Sequence, residues 1–111
     1  MNEVNVNWNK EQFKAYLLIY AANSNFSESE EEKELILSKV DADVYKQMHR
    51  EFDKDNDYQR LEKILCCVDK FGFSKDDLAN FKAEVKQVIN AEGHHDELEE
   101  NMFLYLKKLL S

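Results

Sequence analysis

Proline is absent from this 111-residue chain, and glycine occurs only twice, at Gly72 and Gly93. Sandwiches and barrels of short strands lean on Gly, Asn-Gly and Asp-Gly turns, so that architecture is disfavoured. No segment reaches the run of about 18 apolar residues that a bilayer-spanning helix needs. Cysteine is confined to the adjacent pair Cys66-Cys67. Neighbouring helical residues point about 100° apart, which disfavours an ordinary disulfide between them. The C-x-x-C spacing of redox and zinc motifs is also missing. Both read as reduced packing residues, Cys67 flanking the apolar face of its helix and Cys66 toward the polar side.

Positive charge is scarce: 15 basic residues face 23 acidic ones, a net charge of −8. A nucleic-acid partner would demand a basic face, and an anionic membrane surface would repel such a chain, so neither is expected. The opening MNEVNVNWNK has no basic start followed by an apolar run, so no signal peptide is expected and the expected location is the cytoplasm. There is no G-x-S-x-G elbow, P-loop, H-E-x-x-H or dinucleotide glycine pattern. Nothing in the spacing singles out two carboxylates as an acid–base pair. A non-enzymatic role is the expectation.

What the chain does contain is helix-forming. Hydrophobic residues make up 43% and aromatics 12%, too much for a disordered chain, and the length suits one domain with its own core. Glu, Lys, Leu and Ala all favour helix. Residues 1–8 read as an arm that Val4, Val6 and Trp8 could anchor, followed by a helical domain over residues 9–111. Asn9 and Gln12 form a capping-box pattern before FKAYLLIYAA, residues 13–22, which is apolar nearly all round and therefore reads as the buried central helix. A second helix starts at Ser27 or Ser29, since Ser27–Glu30 and Ser29–Glu32 both fit the box; Leu35, Ile36 and Val40 form its stripe. Asp41 or Asp43 opens a third helix with Val44, Tyr45, Met48 and Phe52 inward, and His49 at the surface.

The link DKDND, residues 53–57, invites a test as a calcium loop. Asp53, Asp55 and Asp57 stand at positions one, three and five of an EF-hand, but Tyr58 replaces the turn glycine and Ile64 the bidentate Glu. It reads instead as a helix connection capped by Asn56 or Asp57. Tyr58, Leu61, Ile64, Leu65, Val68 and Phe71 give the fourth helix its stripe, with Gly72 as left-handed stop. Ser74 caps a fifth helix carrying Leu78, Phe81, Val85, Val88 and Ile89. A sixth follows Gly93, with Leu98, Met102, Phe103, Leu106, Leu109 and Leu110. The fold class is all-α: a compact single-domain bundle of about six helices.

An internal repeat organises this bundle. AANSNFSESEEEKELI, residues 21–36, returns as VINAEGHHDELEENMF, residues 88–103. Asn23 falls on Asn90, Asn25 on Glu92, Ser29 on Asp96, Glu32 on Glu99, and Leu35-Ile36 on Met102-Phe103. Each copy reads as the end of one helix, a short acidic hinge and the capped start of the next, which gives the fold a pseudo-twofold character.

The two hinges, with FGFSKDDL between them, resemble the TerB-like family associated with tellurite resistance, over about residues 12–110. The resemblance implies an all-helical domain with acids gathered at two loops, divalent-metal binding and a stress-response setting. By position Asn25 and Glu32 match the first motif's Asp and Glu, and Glu92 and Glu99 the second's. Asn25 replaces an acid by an amide, Phe26 replaces the turn glycine, and Glu92 adds a methylene.

Hard cations want six to eight oxygens for calcium or an octahedron for magnesium. If the hinges converge, Asn25, Glu32, Glu92, Asp96 and Glu99 could supply several of these to a divalent cation, calcium or magnesium before zinc. Against this, both hinges feed helix N-termini, whose positive dipole end favours the carboxylates without any cation. Capping alone accounts for Ser29, Glu32, Asp96 and Glu99. His94 and His95 beside Asp96 or Glu92 suggest a softer site for zinc, copper or nickel, or simply a solvated loop. The alternative function is a metal-free protein–protein interaction module, suggested by Trp8, Tyr16, Tyr20 and Tyr105 beyond what the stripes need.

Overall fold

Helices account for all the regular secondary structure among the described residues. The structure, a computed structural model, describes residues 7–23 and 29–89, and no strand occurs among them. Five helices follow in order: α1 Lys10–Ala22, α2 Glu30–Lys39, α3 Ala42–Lys54, α4 Asp57–Phe71 and α5 Lys75–Ile89. The expected sixth helix and nearly all of the second repeat copy lie outside the described residues, as do Val4, Val6 and Ser27.

α1 is the axis of the bundle. Asn9 Oδ1 accepts from the Gln12 N–H at 2.8 Å and Gln12 Oε1 accepts from the Asn9 N–H at 2.8 Å, the reciprocal box that the sequence predicts. From Ala15 to Ala22 every side chain is buried, and so is Phe13. A helix with no polar stripe needs neighbours on all sides, and α1 packs against α3 and α5 most extensively and against α4 and α2 as well. Fully burying each large apolar side chain here contributes roughly 1.5–3 kcal/mol.

The other helices start where capping chemistry puts them. Between the two registers open for α2, the Ser29 box is formed: Ser29 Oγ accepts from the Glu32 N–H at 3.1 Å and Glu32 Oε1 from the Ser29 N–H at 2.9 Å. α3 begins after Asp41, whose side chain makes no cap bond. Its backbone N–H donates instead to Glu11 Oε2 of α1, 3.0 Å away. Asn56 and Gln59 make the third capping box and open α4, so DKDND is a helix connection. Gly72 ends α4 at φ 58° and ψ 48°, its N–H reaching the Val68 carbonyl at 3.3 Å; that left-handed stop costs glycine nothing.

Phe73 folds back after this stop onto an aromatic group that joins α1, α4 and α5. Its ring centroid lies 5.3 Å from Phe13, 5.4 Å from Phe71 and 4.8 Å from Phe81. Ser74 and Asp77 then cap α5, Ser74 Oγ accepting from the Asp77 N–H at 3.1 Å. Val85 and Val88 are buried and Leu78 and Phe81 half-buried against the core.

One expectation needs correction. In the α4 stripe, Tyr58 is 71% exposed and Leu65 40% exposed, while Ile64 and Cys67 take the buried positions. Among the described elements α4 packs mainly on α1 and meets α3 through Arg60 and Lys63, so it buries a narrow strip centred on Ile64, Cys67 and Phe71. His49 lies at the surface with its side chain 30% exposed; its ring is 5.5 Å from Tyr45 and 6.2 Å from Phe52, and its Nδ1 is 3.2 Å from Asp53.

Candidate functional site

Of the five proposed cation ligands, Glu32 alone falls among the described residues; Asn25, Glu92, Asp96 and Glu99 lie outside them, as do His94 and His95. Glu32 is fully buried in the first turn of α2. Its Oε1 closes the capping box, and the carboxylate sits at the positive end of the helix dipole. Both interactions stabilise the charge without a metal. Among the described residues no three His, Cys, Asp or Glu side chains gather as a set that could hold one.

The connection that fails as a calcium loop holds the most tightly tied polar group in the described structure. Asp55, between α3 and α4, points inward and is buried. Its Oδ2 accepts from the Tyr16 hydroxyl at 2.7 Å, and Lys63 Nζ donates to Oδ1 at 2.9 Å and to Oδ2 at 2.8 Å. Lys63 also donates to Glu51 Oε1 at 2.7 Å. Trp8 roofs the group: its ring centroid lies 4.6 Å from that of Tyr16 and 5.9 Å from Lys63 Nζ.

Next to it, Arg60 locks the α3–α4 corner. Its Nε and Nη2 donate to the Phe52 carbonyl at 3.1 and 2.8 Å, and its guanidinium lies 3.6 Å from the Phe52 ring centroid. The Phe52 carbonyl also accepts the Asp55 N–H at 3.2 Å, and the guanidinium adds two further donors there and places positive charge at the negative end of the α3 dipole.

Burial, then the hydrogen bond to Asp55, push the Tyr16 hydroxyl far above its ordinary range. For Lys63 burial pulls the other way, but the hydrogen bonds to Asp55 and Glu51 outweigh it and the ammonium is held more firmly. Both groups therefore keep their protons near neutrality. A tyrosine and a lysine so held are poor bases, and the arrangement suits a clamp joining α1, α3 and α4 better than proton transfer. Sequence reading missed this role for Asp55. The one available signal was an extra Asp beyond what capping α4 requires, since Asn56 already does that.

A different chemistry appears at the α2–α3 face. A shallow, open depression of about 700 Å3 is lined by Asn23, Glu30, Lys33, Tyr45, Lys46, His49 and Arg50. Lys33, Lys46 and Arg50 are exposed, and none of their side chains makes an ion pair or hydrogen bond among the described residues. Lys14, by contrast, pairs with Glu84 at 3.1 Å between α1 and α5, Arg60 pairs with Asp57 at 3.1 Å, and Lys63 is paired as described. Three cations against the single carboxylate of Glu30 give this concavity an excess of positive charge, on a chain whose overall charge is −8.

The aromatic side chains suspected of forming a binding patch are used internally. Tyr16 and Tyr20 are buried and Trp8 is half-buried, whereas Tyr105 lies outside the described residues. No helix among the described residues is long and apolar enough to cross a membrane. In comparison with known proteins, no family model, no curated protein and no solved structure matches the chain.

Proposed function

We propose that this chain is a non-enzymatic helical binding domain that holds a partner protein through its α2–α3 face. The observation that carries this reading is the depression lined by Lys33, Lys46 and Arg50, three cations in no ion pair among the described residues and facing one carboxylate, Glu30. A catalytic site is usually an enclosed cleft with convergent perturbed groups. Here Tyr16 and Lys63 are tied into a clamp and Cys67 is a buried packing thiol, whereas the open depression carries spread positive charge. That pattern suits recognition of a complementary surface.

The test is capture with the full chain as bait, comparing wild type with the Lys46→Glu/Arg50→Glu variant and identifying cross-linked residues. A specific partner cross-linked near Lys33 or Lys46 and lost in the variant is the expected result. Capture indifferent to the double reversal would remove the reading.

The fully buried carboxylate of Glu32 at the first hinge favours a second reading. In it the domain takes up a divalent cation, calcium or magnesium, through Asn25, Glu32, Glu92, Asp96 and Glu99, in keeping with the likeness to TerB-like proteins and their stress-response role. Thermal melts in calcium, magnesium, zinc or EDTA test it. A ligand at about 100 times its dissociation constant stabilises by about 2.7 kcal/mol, a shift of several degrees for a domain of this size, and Glu99→Gln is expected to abolish it. Identical melts in all four would exclude the cation.

A further inference from the structure

We propose that the depression between α2 and α3 is a docking trough for an acidic peptide segment, with Lys46, Arg50 and Lys33 taking successive carboxylates. This rests on the reading of the chain as a protein-binding domain and names the chemistry of what it binds.

The cations sit on two helices around one concavity. Lys46 and Arg50 are four residues apart on α3, and Lys33 rises from α2 on the other side. Side chains at i and i+4 share one helix face with their Cβ atoms about 6 Å apart. Two carboxylates spaced along an extended peptide can therefore meet Lys46 and Arg50 together, the arginine as a bidentate fork. Tyr45 and His49, packed at a tilt with ring centroids 5.5 Å apart, supply a partly apolar floor between them. The volume, about 700 Å3, exceeds what one small anion fills and falls in the range of sites for larger ligands.

Charge decides between a peptide and a compact phosphate. A phosphate would gain most beside a helix N-terminus, but α2 opens with Glu30, Glu31 and Glu32, and the capping box already takes the N–H groups of Ser29 and Glu32. Glu30 itself lines the depression. A doubly charged group drawn toward that end meets like charge, whereas single carboxylates distributed along a chain can keep to the α3 side. Glu30 then remains available to a backbone N–H or a basic residue of the same peptide, which would set its direction.

The test is fluorescence anisotropy with the full chain and a labelled twelve-residue peptide of alternating Glu and Ser at low salt. An all-Ser peptide and inorganic phosphate serve as comparisons. Lys46→Glu/Arg50→Glu is expected to weaken binding at least about tenfold while keeping the wild-type circular dichroism and melting curve, since both residues are exposed. Lys75→Glu/Lys86→Glu, the same charge change at exposed positions of α5, is expected to stay within about threefold.

Equal losses in the two variants would reduce the effect to net charge and overturn the site. Displacement by phosphate at concentrations that spare the wild-type fold, with no preference for the acidic over the all-Ser peptide, would make it an anion pocket instead. A dimer in sedimentation that Lys46→Glu/Arg50→Glu dissolves would make a second copy of this chain the occupant and overturn the peptide assignment. Absence of peptide binding overturns it directly. If peptides fail while capture of an identified partner still depends on Lys46 and Arg50, the ligand chemistry is wrong and the binding-domain reading stands. When capture is indifferent as well, both fall.

Discussion

Replacing Asp55 by alanine removes the acceptor shared by Tyr16 and Lys63. The Tyr16 hydroxyl, in a residue with no solvent exposure, loses the partner at 2.7 Å, and leaving a buried donor unsatisfied costs about 1–3 kcal/mol. Lys63 loses two contacts at 2.8 and 2.9 Å. Breaking a fully buried pair costs about 3–5 kcal/mol, but Lys63 keeps Glu51 at 2.7 Å and its side chain is 15% exposed, so roughly 1–2 kcal/mol is the better figure for that half. The two losses share one carboxylate and do not simply add, which leaves about 3 kcal/mol in total. In urea, with a slope of about 1.5 kcal/mol/M for a chain of this size, the midpoint should fall by about 2 M. Asp53→Ala is the control. Asp53 lies two residues away, and its contact is an exposed pair with His49, so its loss should stay within about 0.5 kcal/mol. If Asp55→Ala and Asp53→Ala shift the midpoint equally, Asp55 is a surface residue and the clamp does not exist.

Three further outcomes are expected. Tyr16 and Lys63 both titrate above their ordinary values of 10.0 and 10.5 in the folded protein. Stability from both is therefore fully present below those values and lost as pH rises through the folded ones; urea midpoints should drop above about pH 10, less steeply in Tyr16→Phe, and parallel profiles would refute this. Burial, with Cys66 beside it, raises the Cys67 thiol to about 11, leaving it about a hundredth of an ordinary cysteine's thiolate near pH 8. Peptide mapping after iodoacetamide treatment should therefore find Cys66 modified long before Cys67, and simultaneous modification would contradict the packing of α4. Gly72→Ala meets no atom within 4 Å of its new Cβ, so its cost is the left-handed backbone alone, about 1 kcal/mol, and Gly72→Asn should recover part of it by thermal melt.

Local chemistry was the legible part of this sequence. The boxes Asn9–Gln12 and Ser29–Glu32, the glycine stop at Gly72 and the all-round apolar α1 are written in residues at most four apart, and each is realised. The burial of Tyr58 and Leu65 was misread because spacing says which residues share a face, not whether a neighbouring helix covers it. Asp55 was illegible for a related reason. Its partners Tyr16 and Lys63 stand 39 and 8 residues away, and no short-range pattern links a carboxylate in a connection to a hydroxyl on the central helix. The hinge residues are a separate case: only Glu32 of the five proposed ligands falls where the structure describes it.

The α2–α3 face shows how a net charge can point the wrong way. Along the chain, Lys33 sits inside Glu28–Glu34 and reads as one cation drowned in acids, while Lys46 and Arg50 are separated from it by a helix boundary. Summed over the sequence, these charges disappear into −8. Folding sorts them. Glu32 turns inward to cap α2, and Asp53 pairs with His49 on α3. Lys33, Lys46 and Arg50 are then left around one depression. With a Debye length of about 8 Å at physiological ionic strength, a ligand seated among these three side chains responds to them far more than to distant acids on other faces. An acidic protein can therefore present a local cationic trough, and salt should weaken an acidic peptide's binding there although the chain as a whole repels it.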